Sequence, residues 1–274
     1  MNKVVSRDGT EIAYEKTGYG FPLILVGGAL SDRSAAVPLA TLLAPQFTVF
    51  AYDRRGRGDS GDTAPYAVEH EVEDIQALIA EAGGSAFVFG HSSGSVLALE
   101  AAARGLAVPK LAMYEPPFRI DRSSPPLPKD YREHLGELLT SSRRGEAVEY
   151  FMTTAVGVPP EAVAQIRRSP TWAKLESAAH TLVYDQTIMD NATTGTSLPA
   201  ARWANATLPV LVFDGGASPA WMRNAVQALV DILPSAKRLS LEGQTHRIDP
   251  AALAPVLLEF FGSAQTARGP DARH

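Results

Sequence analysis

The hydrophobic pattern of the chain changes after Pro22. Before it, two short alternating segments flank Asp8-Gly9, a turn signal that predicts a β-hairpin. After it, the apolar residues form short continuous runs, which are typical of strands buried on both faces. These runs are residues 23–26, 47–52, 86–89, 111–114, 210–213 and, more weakly, 238–241.

Helical periodicity fills several intervals between these runs. Apolar residues recur at helical spacing from Val68 to Ile79, and Gly83-Gly84 ends that segment. A later helix is predicted to begin at Asp249-Pro250, a favourable N-cap and first-turn pair. Strands that alternate with helices predict an α/β fold with a mostly parallel, doubly wound sheet.

One long segment interrupts this alternation. Residues 117–205 carry helical patterns without a convincing strand, and prolines cluster at the start of the segment. We expect a helical lid there, inserted into a core domain made of residues 1–116 and 206–262. Residues 263–274 lack periodicity, and we expect them to form a disordered tail.

Composition and charge exclude several classes of function. The chain of 274 residues carries 25 basic and 30 acidic residues without a basic block, so nucleic acid is not an expected partner. The absence of cysteine excludes a disulfide framework, a thiolate metal site and a cysteine nucleophile. No apolar run approaches the roughly 18 residues of a membrane helix, and the N-terminus has no apolar leader. We therefore expect a cytoplasmic protein with no membrane partner.

The strongest chemical motif is Gly90-His91-Ser92-Ser93-Gly94. It follows a buried strand and opens a helix, which is the context that gives a G-x-S-x-G motif its meaning as a nucleophile elbow. The tight turn presents the hydroxyl of Ser92 above the sheet, and glycines let the strand and the helix approach closely. Ser92 is therefore the candidate nucleophile.

A serine nucleophile needs a base, and His246 is the best candidate. It lies just after the last predicted strand, at the sheet edge where active sites of this architecture gather. His91 adjoins Ser92 but must point elsewhere, and the remaining internal histidines lie on predicted helices. The alternative for His246 is a hydrogen-bonded loop histidine with no catalytic role.

Taken together, these motifs resemble the α/β-hydrolase superfamily, and the loop of residues 52–60 looks most like its cofactor-free haloperoxidase and esterase branch. The resemblance covers about residues 3–115 and 205–261. It implies an oxyanion hole formed by the backbone amides of Ala29 and Ser93, although the family's usual histidine before the first glycine is missing here. The loop of residues 53–60 is expected to be structural.

The acid of the expected triad departs from the family pattern. The family commonly places an aspartate after the seventh strand, where this chain has Ser218. Glu115, at the end of the preceding core strand, matches the alternative acid position that some superfamily members use. We favour Glu115, and Asp214 or the absence of a carboxylate are the alternatives. The order Ser92, Glu115, His246 is that of the fold.

The sequence predicts neither a metal nor a cofactor, because it has no clustered ligand motif and no phosphate loop. A small-molecule substrate is the one partner it predicts, and the oligomeric state stays open. Since ligand sites are mainly hydrophobic, part of the aromatic content should line a pocket. The candidate pocket residues are Gly28, Phe118, Phe151, Trp172 and Trp221.

The leading hypothesis is a carboxylesterase-like serine hydrolase. It would cleave an ester, or less readily an amide or thioester, of an apolar small molecule through an acyl-enzyme. A lyase, cyclase or perhydrolase that uses the same site is one alternative, and a non-catalytic binder on the same fold is another. The resemblance argues against epoxide hydrolase and haloalkane dehalogenase chemistry, because those families use aspartate where this chain has Ser92.

Overall fold

The computed structural model describes residues 1–192 and 198–263 of the chain. Its strands are β1 (Asn2–Val5), β2 (Glu11–Gly18), β3 (Phe21–Val26), β4 (Phe47–Tyr52), β5 (Phe87–His91), β6 (Leu111–Tyr114), β7 (Val210–Gly215) and β8 (Ala236–Leu241). Its helices are α1 (Val37–Leu43), α2 (Val68–Glu81), α3 (Ser93–Ala103), α4 (Tyr131–Thr140), α5 (Arg144–Tyr150), α6 (Pro160–Arg167), α7 (Trp172–Ala178), α8 (Leu182–Ala192), α9 (Ala220–Ile232) and α10 (Pro250–Gly262).

The eight strands form a single sheet in the order β1-β2-β4-β3-β5-β6-β7-β8. The pairs that involve β1 and β2 are antiparallel, and every pair from β4 to β8 is parallel. The mostly parallel α/β sheet predicted from the apolar runs is thus confirmed. The parallel order brings the carboxyl ends of β5, β6 and β7 side by side at one edge.

Helices cover both faces of this sheet. On one face α1 and α10 bury Leu39, Leu43, Leu257 and Phe261 against the strands. On the other face α2, α3 and α9 form the larger core, in which every residue of α3 from Ser93 to Ala102 is buried. The small side chains of α3 explain this burial, because they let the helix lie directly over the centre of the sheet.

Helices α4 to α8 follow one another between β6 and β7, and we call residues 117–205 the helical insertion. They bury two small clusters of their own, one around Leu135 and Ala147 and one around Val148 and Trp172. The insertion therefore has cores that are separate from the two cores of the sheet. Of the expected tail, residues 264–274 lie outside the described residues. In the described chain, no helix combines the length and the apolar character that a bilayer crossing requires.

Candidate active site

Ser92 occupies the turn between β5 and α3, in a backbone conformation that side-chain-bearing residues rarely adopt. Its φ is 55° and its ψ is −129°. The turn is possible because of two glycines: a Cβ on Gly90 would lie 2.4 Å from the Cα of Ser95, and one on Gly94 would lie 2.4 Å from the Gly27 carbonyl oxygen. Strain held in this way by tight packing concentrates at functional sites.

His246 reaches Ser92 from the loop between β8 and α10. Its Nε2 lies 3.2 Å from the Ser92 Oγ. Three contacts hold the loop: the Tyr114 hydroxyl donates to the Thr245 carbonyl (2.6 Å), His91 Nε2 donates to the His246 carbonyl (3.0 Å), and the Ala217 amide donates to the Gln244 carbonyl (2.9 Å). The backbone that carries the imidazole is therefore held from the sheet side.

Glu115 lies on the far side of the imidazole, directly after β6. Its Oε2 lies 2.7 Å from His246 Nδ1, and its Oε1 accepts a hydrogen bond from the Gly215 amide (2.8 Å). The side chain is fully buried, and its own backbone has a positive φ of 45°. Burial alone would raise the pKa of this carboxyl, but the hydrogen bond with His246, the nearby Ser218 hydroxyl and the Gly215 amide hold the pKa below its usual value.

Asp214, the other carboxylate considered for the acid, points elsewhere. Asp214 accepts hydrogen bonds from Arg238 (Nη2 to Oδ2, 2.9 Å) and from the Ser240 hydroxyl (2.5 Å), so its carboxylate faces β8. Ser218 is buried beside Glu115, and its hydroxyl has no hydrogen-bond partner of ordinary geometry within residues 1–192 and 198–263. Of the carboxylates considered from the sequence, Glu115 is the one that contacts His246.

Ala29 and Ser93 line the same cleft as Ser92 and His246. Arg57 Nη1 donates to the Gly28 carbonyl oxygen (2.8 Å). A trans peptide unit is planar, and its C=O and N–H point in opposite directions. Since the Gly28 carbonyl is held toward Arg57, the Ala29 amide of the same peptide points away from Arg57.

A buried network of charges links this loop to the helical insertion. Asp185 on α8 accepts hydrogen bonds from Arg54 Nη1 (2.8 Å), Arg57 Nη2 (2.7 Å) and the Ser93 hydroxyl (2.7 Å). Arg54 is held in turn by both carboxylate oxygens of Glu71 (2.6 and 2.7 Å). Burial would raise the pKa of Asp185, but the two guanidinium groups hold it below its usual value.

The sequence did not reveal this network. Arg54 and Arg57, expected to tie down their own loop, also contact the carbonyl oxygens of Gly27 and Gly28 beside Ser92. The repeated arginines were the available signal, but their shared partner lies more than 120 residues away, at Asp185. Nothing in the local pattern of α8 distinguishes that aspartate from a surface residue.

The cleft above Ser92 encloses about 170 Å³. This is less than the roughly 300–1,000 Å³ of sites for drug-sized ligands, so it fits a small molecule. Its walls are formed by the loops at the sheet edge, by α9 and by the insertion, and most of the lining residues are apolar. Its lining residues include Arg119, Leu127, Phe151, Met222, Trp221 and Asp190.

Phe151 and Trp221 therefore lie where the sequence predicted pocket residues, and two other aromatics do not. Phe118 is fully buried and packs on Trp203, with ring centroids 5.6 Å apart. Trp172 packs inside the insertion, with the Arg167 guanidinium 5.8 Å from its ring. Gly28 lies below the cleft, where a Cβ would come within 3.0 Å of the Ser92 Cβ.

No group of three or more histidine, aspartate or glutamate side chains with the geometry of a metal site occurs within residues 1–192 and 198–263. The donors around Ser92 also fit a metal poorly. Glu115 is bound to His246, Asp185 is bound to two arginines, and His246 uses both ring nitrogens for contacts within the protein.

The family model described as the alpha/beta hydrolase family matches residues 23–256. The chain belongs to the alpha/beta hydrolase family. A crystal structure of an alpha/beta hydrolase from Sphaerobacter thermophilus DSM 20745 is 56% identical, has a TM-score of 0.89, and is matched over 95% of this chain and 100% of that one. An esterase from Rhodococcus sp. ECU1013, RhEst1, is 23% identical with a TM-score of 0.70, over 96% and 98% of the two chains, and shows the same fold.

Curated relatives of this alpha/beta hydrolase match over shorter stretches. The uncharacterized hydrolase YraK of Bacillus subtilis (strain 168) is 35% identical over 103 residues, which are 36% of this chain and 38% of that protein. The pimeloyl-[acyl-carrier protein] methyl ester esterase of Xanthomonas campestris pv. campestris (strain B100) is 33% identical over 146 residues, or 47% and 56% of the two proteins. The chain thus spans about half the length of these relatives or less. The family match and these relatives together support the assignment of this protein as a hydrolase.

Proposed function

We propose that this protein is a serine hydrolase that cleaves esters of small molecules through an acyl-enzyme. The observation that carries the proposal is the continuous chain of contacts from Ser92 Oγ to His246 Nε2 and from His246 Nδ1 to Glu115. A serine on the surface or in a binding site does not need a strained backbone, nor a histidine that is itself hydrogen-bonded to a buried carboxylate.

The acylation step follows from this order of contacts. With Nδ1–H donating to Glu115, the imidazole presents the lone pair of Nε2 to the Ser92 hydroxyl. His246 takes the hydroxyl proton as Ser92 Oγ attacks the ester carbonyl, and the charge of Glu115 stabilises the imidazolium that forms. The proton then passes to the departing alkoxide, which leaves as an alcohol.

The developing negative charge on the carbonyl oxygen needs donors that are already in position. The amides of Ala29 and Ser93 serve as these donors, the latter at the N-terminus of α3, where backbone N–H groups lack helical partners. A water molecule then attacks the acyl-enzyme, with His246 acting as base, and the acid is released. The net reaction converts an ester and water into an acid and an alcohol.

The names of two similar proteins agree with ester cleavage. The Xanthomonas protein is a methyl ester esterase by name, and the Rhodococcus protein is an esterase by name. Both names refer to those proteins, and they support the choice of an ester over an amide for this chain. The small volume of the cleft favours a short acyl group or a small alcohol.

The test is labelling with a fluorophosphonate probe, read by intact mass, together with hydrolysis of short p-nitrophenyl esters. The parent should gain one adduct and release nitrophenol. Ser92→Ala should do neither. Ser95→Ala removes the neighbouring buried hydroxyl that donates to the Ser92 carbonyl oxygen but leaves the nucleophile in place, and it should keep both activities. His246→Ala should slow hydrolysis by about 10²–10⁴-fold.

The outcomes separate the competing functions. Labelling that survives Ser92→Ala would contradict the assignment of the nucleophile. Labelling at Ser92 without hydrolysis of any ester would favour a lyase or cyclase on the same site. A folded parent that neither reacts nor hydrolyses would favour a binding protein.

A further inference from the structure

Among the residues that the structure describes, the charges that line the cleft are balanced, with one exception. Asp185 is paired with Arg54 and Arg57, as described above. Asp190 on α8 is paired with Arg132 (Nη1 to Oδ2, 2.8 Å) and accepts a further hydrogen bond from Gln186 Nε2 (2.6 Å). Each carboxylate that faces the cleft from the insertion thus has a cation of its own.

Arg119 is the exception. It lies four residues after Glu115 and lines the cleft together with Ser92 and His246. Its guanidinium donates to the carbonyl oxygens of Pro125 and Ala155, the latter at 2.6 Å. It also lies over the ring of Trp221, 5.1 Å from the centroid. Within the described part of the chain, no carboxylate comes within ion-pair distance of it.

The contacts of Arg119 fix its position without neutralising its charge. Carbonyl oxygens and an aromatic face are dipolar or quadrupolar partners, and they carry no net negative charge. The group is half-buried, and burial lowers its pKa, with Tyr131 the one neighbour that acts in the opposite direction. Removing a cation from water without pairing it costs free energy, and an anion that binds beside it offsets this cost.

We propose that Arg119 binds a carboxylate of the substrate, so that the ester cleaved at Ser92 is one that carries a free carboxylate at its other end. This inference rests on the proposed function and specifies its substrate class. A planar guanidinium matches a carboxylate in shape as well as in charge. Two carbonyls and the Trp221 ring hold it in place before the ligand arrives, which lowers the cost of ordering it.

The rest of the cleft determines the spacer that joins the ester group and the carboxylate of this substrate. Besides the polar groups of the protein, Leu127, Phe151 and Met222 line the cleft. An ester carbonyl at Ser92 and a carboxylate at Arg119 would thus be joined by a short apolar spacer. The small volume of the cleft limits that spacer to a few methylene groups. Half-esters of short dicarboxylic acids have this form, as do acyl esters of short hydroxy acids.

The experiment compares esters that differ in charge and in the position of the charge. Monomethyl succinate, glutarate and adipate carry the carboxylate on the acyl side, and 4-acetoxybutanoate carries it on the alcohol side. Methyl butanoate, methyl pentanoate, methyl hexanoate and butyl acetate are the neutral references, in the same order. We measure kcat/KM for each in the parent, in Arg119→Gln, in Arg119→Lys and in the matched control Arg122→Gln.

The parent should prefer one charged series over its neutral reference, and Arg119→Gln should reduce that preference by about 10–100-fold, the effect of a charged hydrogen bond. Arg119→Lys should retain part of the preference because it keeps the charge. Arg122→Gln removes the same charge from an exposed position of the same loop, outside the cleft, and should keep the full preference. The series that responds identifies which half of the ester carries the carboxylate.

Three results would overturn the proposal: a parent that treats charged and neutral esters alike, an equal loss of preference in Arg122→Gln, or an Arg119→Gln variant that slows all esters by the same factor. The last result would mean that Arg119 only ties residues 125 and 155 together. If no ester were hydrolysed, the proposed function would fail separately. Calorimetric binding of glutarate to Ser92→Ala and to Ser92→Ala/Arg119→Gln would then still decide the role of Arg119, since tighter binding by the first supports it and equal binding rejects it.

Discussion

The two walls of the cleft are built in different ways. On the sheet wall, Ser92, Glu115 and His246 each follow a strand end directly or by a short loop, and backbone contacts hold them. On the wall formed by the helical insertion, Asp185 is held by ion pairs to arginines on a distant loop. The first wall owes its geometry to the sheet, and the second owes it to buried charge.

This difference assigns the two walls different tasks. Parallel strands fix the distances among the three catalytic candidates, which a general base mechanism requires to within a fraction of an ångström. The insertion presents apolar side chains and Arg119, groups suited to selecting a ligand. Arg57 joins the two walls, because it contacts both Asp185 and the Gly28 carbonyl oxygen. The packing of the insertion against the sheet domain therefore also orients the peptide that carries the Ala29 amide.

The largest effect should come from breaking the sheet wall at its buried acid. Glu115→Gln should lower kcat by about 10³–10⁴-fold, because a neutral amide cannot stabilise the imidazolium of His246. Stopped-time ester assays and a thermal melt of each variant are the measurements. Adding Ser218→Asp should restore part of the activity by supplying charge from the usual side.

Asp214→Asn is the matched control for this change, because Asp214 is an equally buried carboxylate one strand away that pairs with Arg238. It should keep near-parental kcat. An inactive Asp214→Asn beside an active Glu115→Gln would transfer the role of the acid to Asp214.

The second effect tests the link between the walls. Arg57→Gln should lower kcat by about 10–10²-fold on every ester, somewhat less than the loss of a complete oxyanion donor, since the Ala29 amide stays present but is no longer held. KM should change little. Arg57→Lys, which keeps a charge beside Asp185, should be more stable than Arg57→Gln and recover part of the rate.

Arg55→Gln provides the comparison. Arg55 is as buried as Arg57 and sits on the same loop, but it pairs with Asp74 and Asp8, away from the cleft. Both substitutions should cost stability, about 3–5 kcal/mol when one partner of a buried pair is removed. If kcat fell equally in the two variants, Arg57 would be a stabilising residue without a positioning role.

The same contrast explains what the sequence could predict. The elbow at Ser92 and the mostly parallel sheet rest on patterns a few residues long, and the strand ends fix where these residues lie in the fold. The candidacy of Glu115 rests on the resemblance to the α/β-hydrolase superfamily. Asp185, Arg57 and Arg119 depend on how the insertion docks, and docking joins residues more than 100 positions apart. Local periodicity cannot distinguish Trp172, buried inside the insertion, from Phe151, which lines the cleft.

A third, smaller effect concerns the acid response of the sheet wall. Burial and the neighbouring His246 lower the pKa of His91 to about 4, so the folded protein keeps this imidazole neutral. The unfolded chain binds a proton near its ordinary value of 6.5. The unfolded state therefore holds more protons between these values, and stability falls as pH drops from 6.5 toward 4, by about 1 kcal/mol per pH unit at most.

His91→Gln should flatten this part of the profile, since an amide can donate to the His246 carbonyl but does not titrate. Urea unfolding at pH 7, 6, 5 and 4.5 measures the difference. The lowered pKa values of Glu115 and Asp185 act at lower pH, below their ordinary values of 4.5 and 3.8. An unchanged slope in His91→Gln would show that another group controls the response.

The smallest effect should separate two aromatic residues of the insertion. Phe151 lines the cleft, so Phe151→Ala should enlarge it and shift kcat/KM toward longer esters by about 10-fold, the lower end of what one methylene contact supplies. Trp172 packs between insertion helices, so Trp172→Ala should lower the melting temperature, at a cost of about 3–5 kcal/mol, and leave the order of preference among esters unchanged. A chain-length series of p-nitrophenyl esters, run beside thermal melts, measures both quantities. A shift in preference from Trp172→Ala as large as that from Phe151→Ala would mean that the insertion selects substrates through its packing as a whole, and not through the side chains that face the cleft.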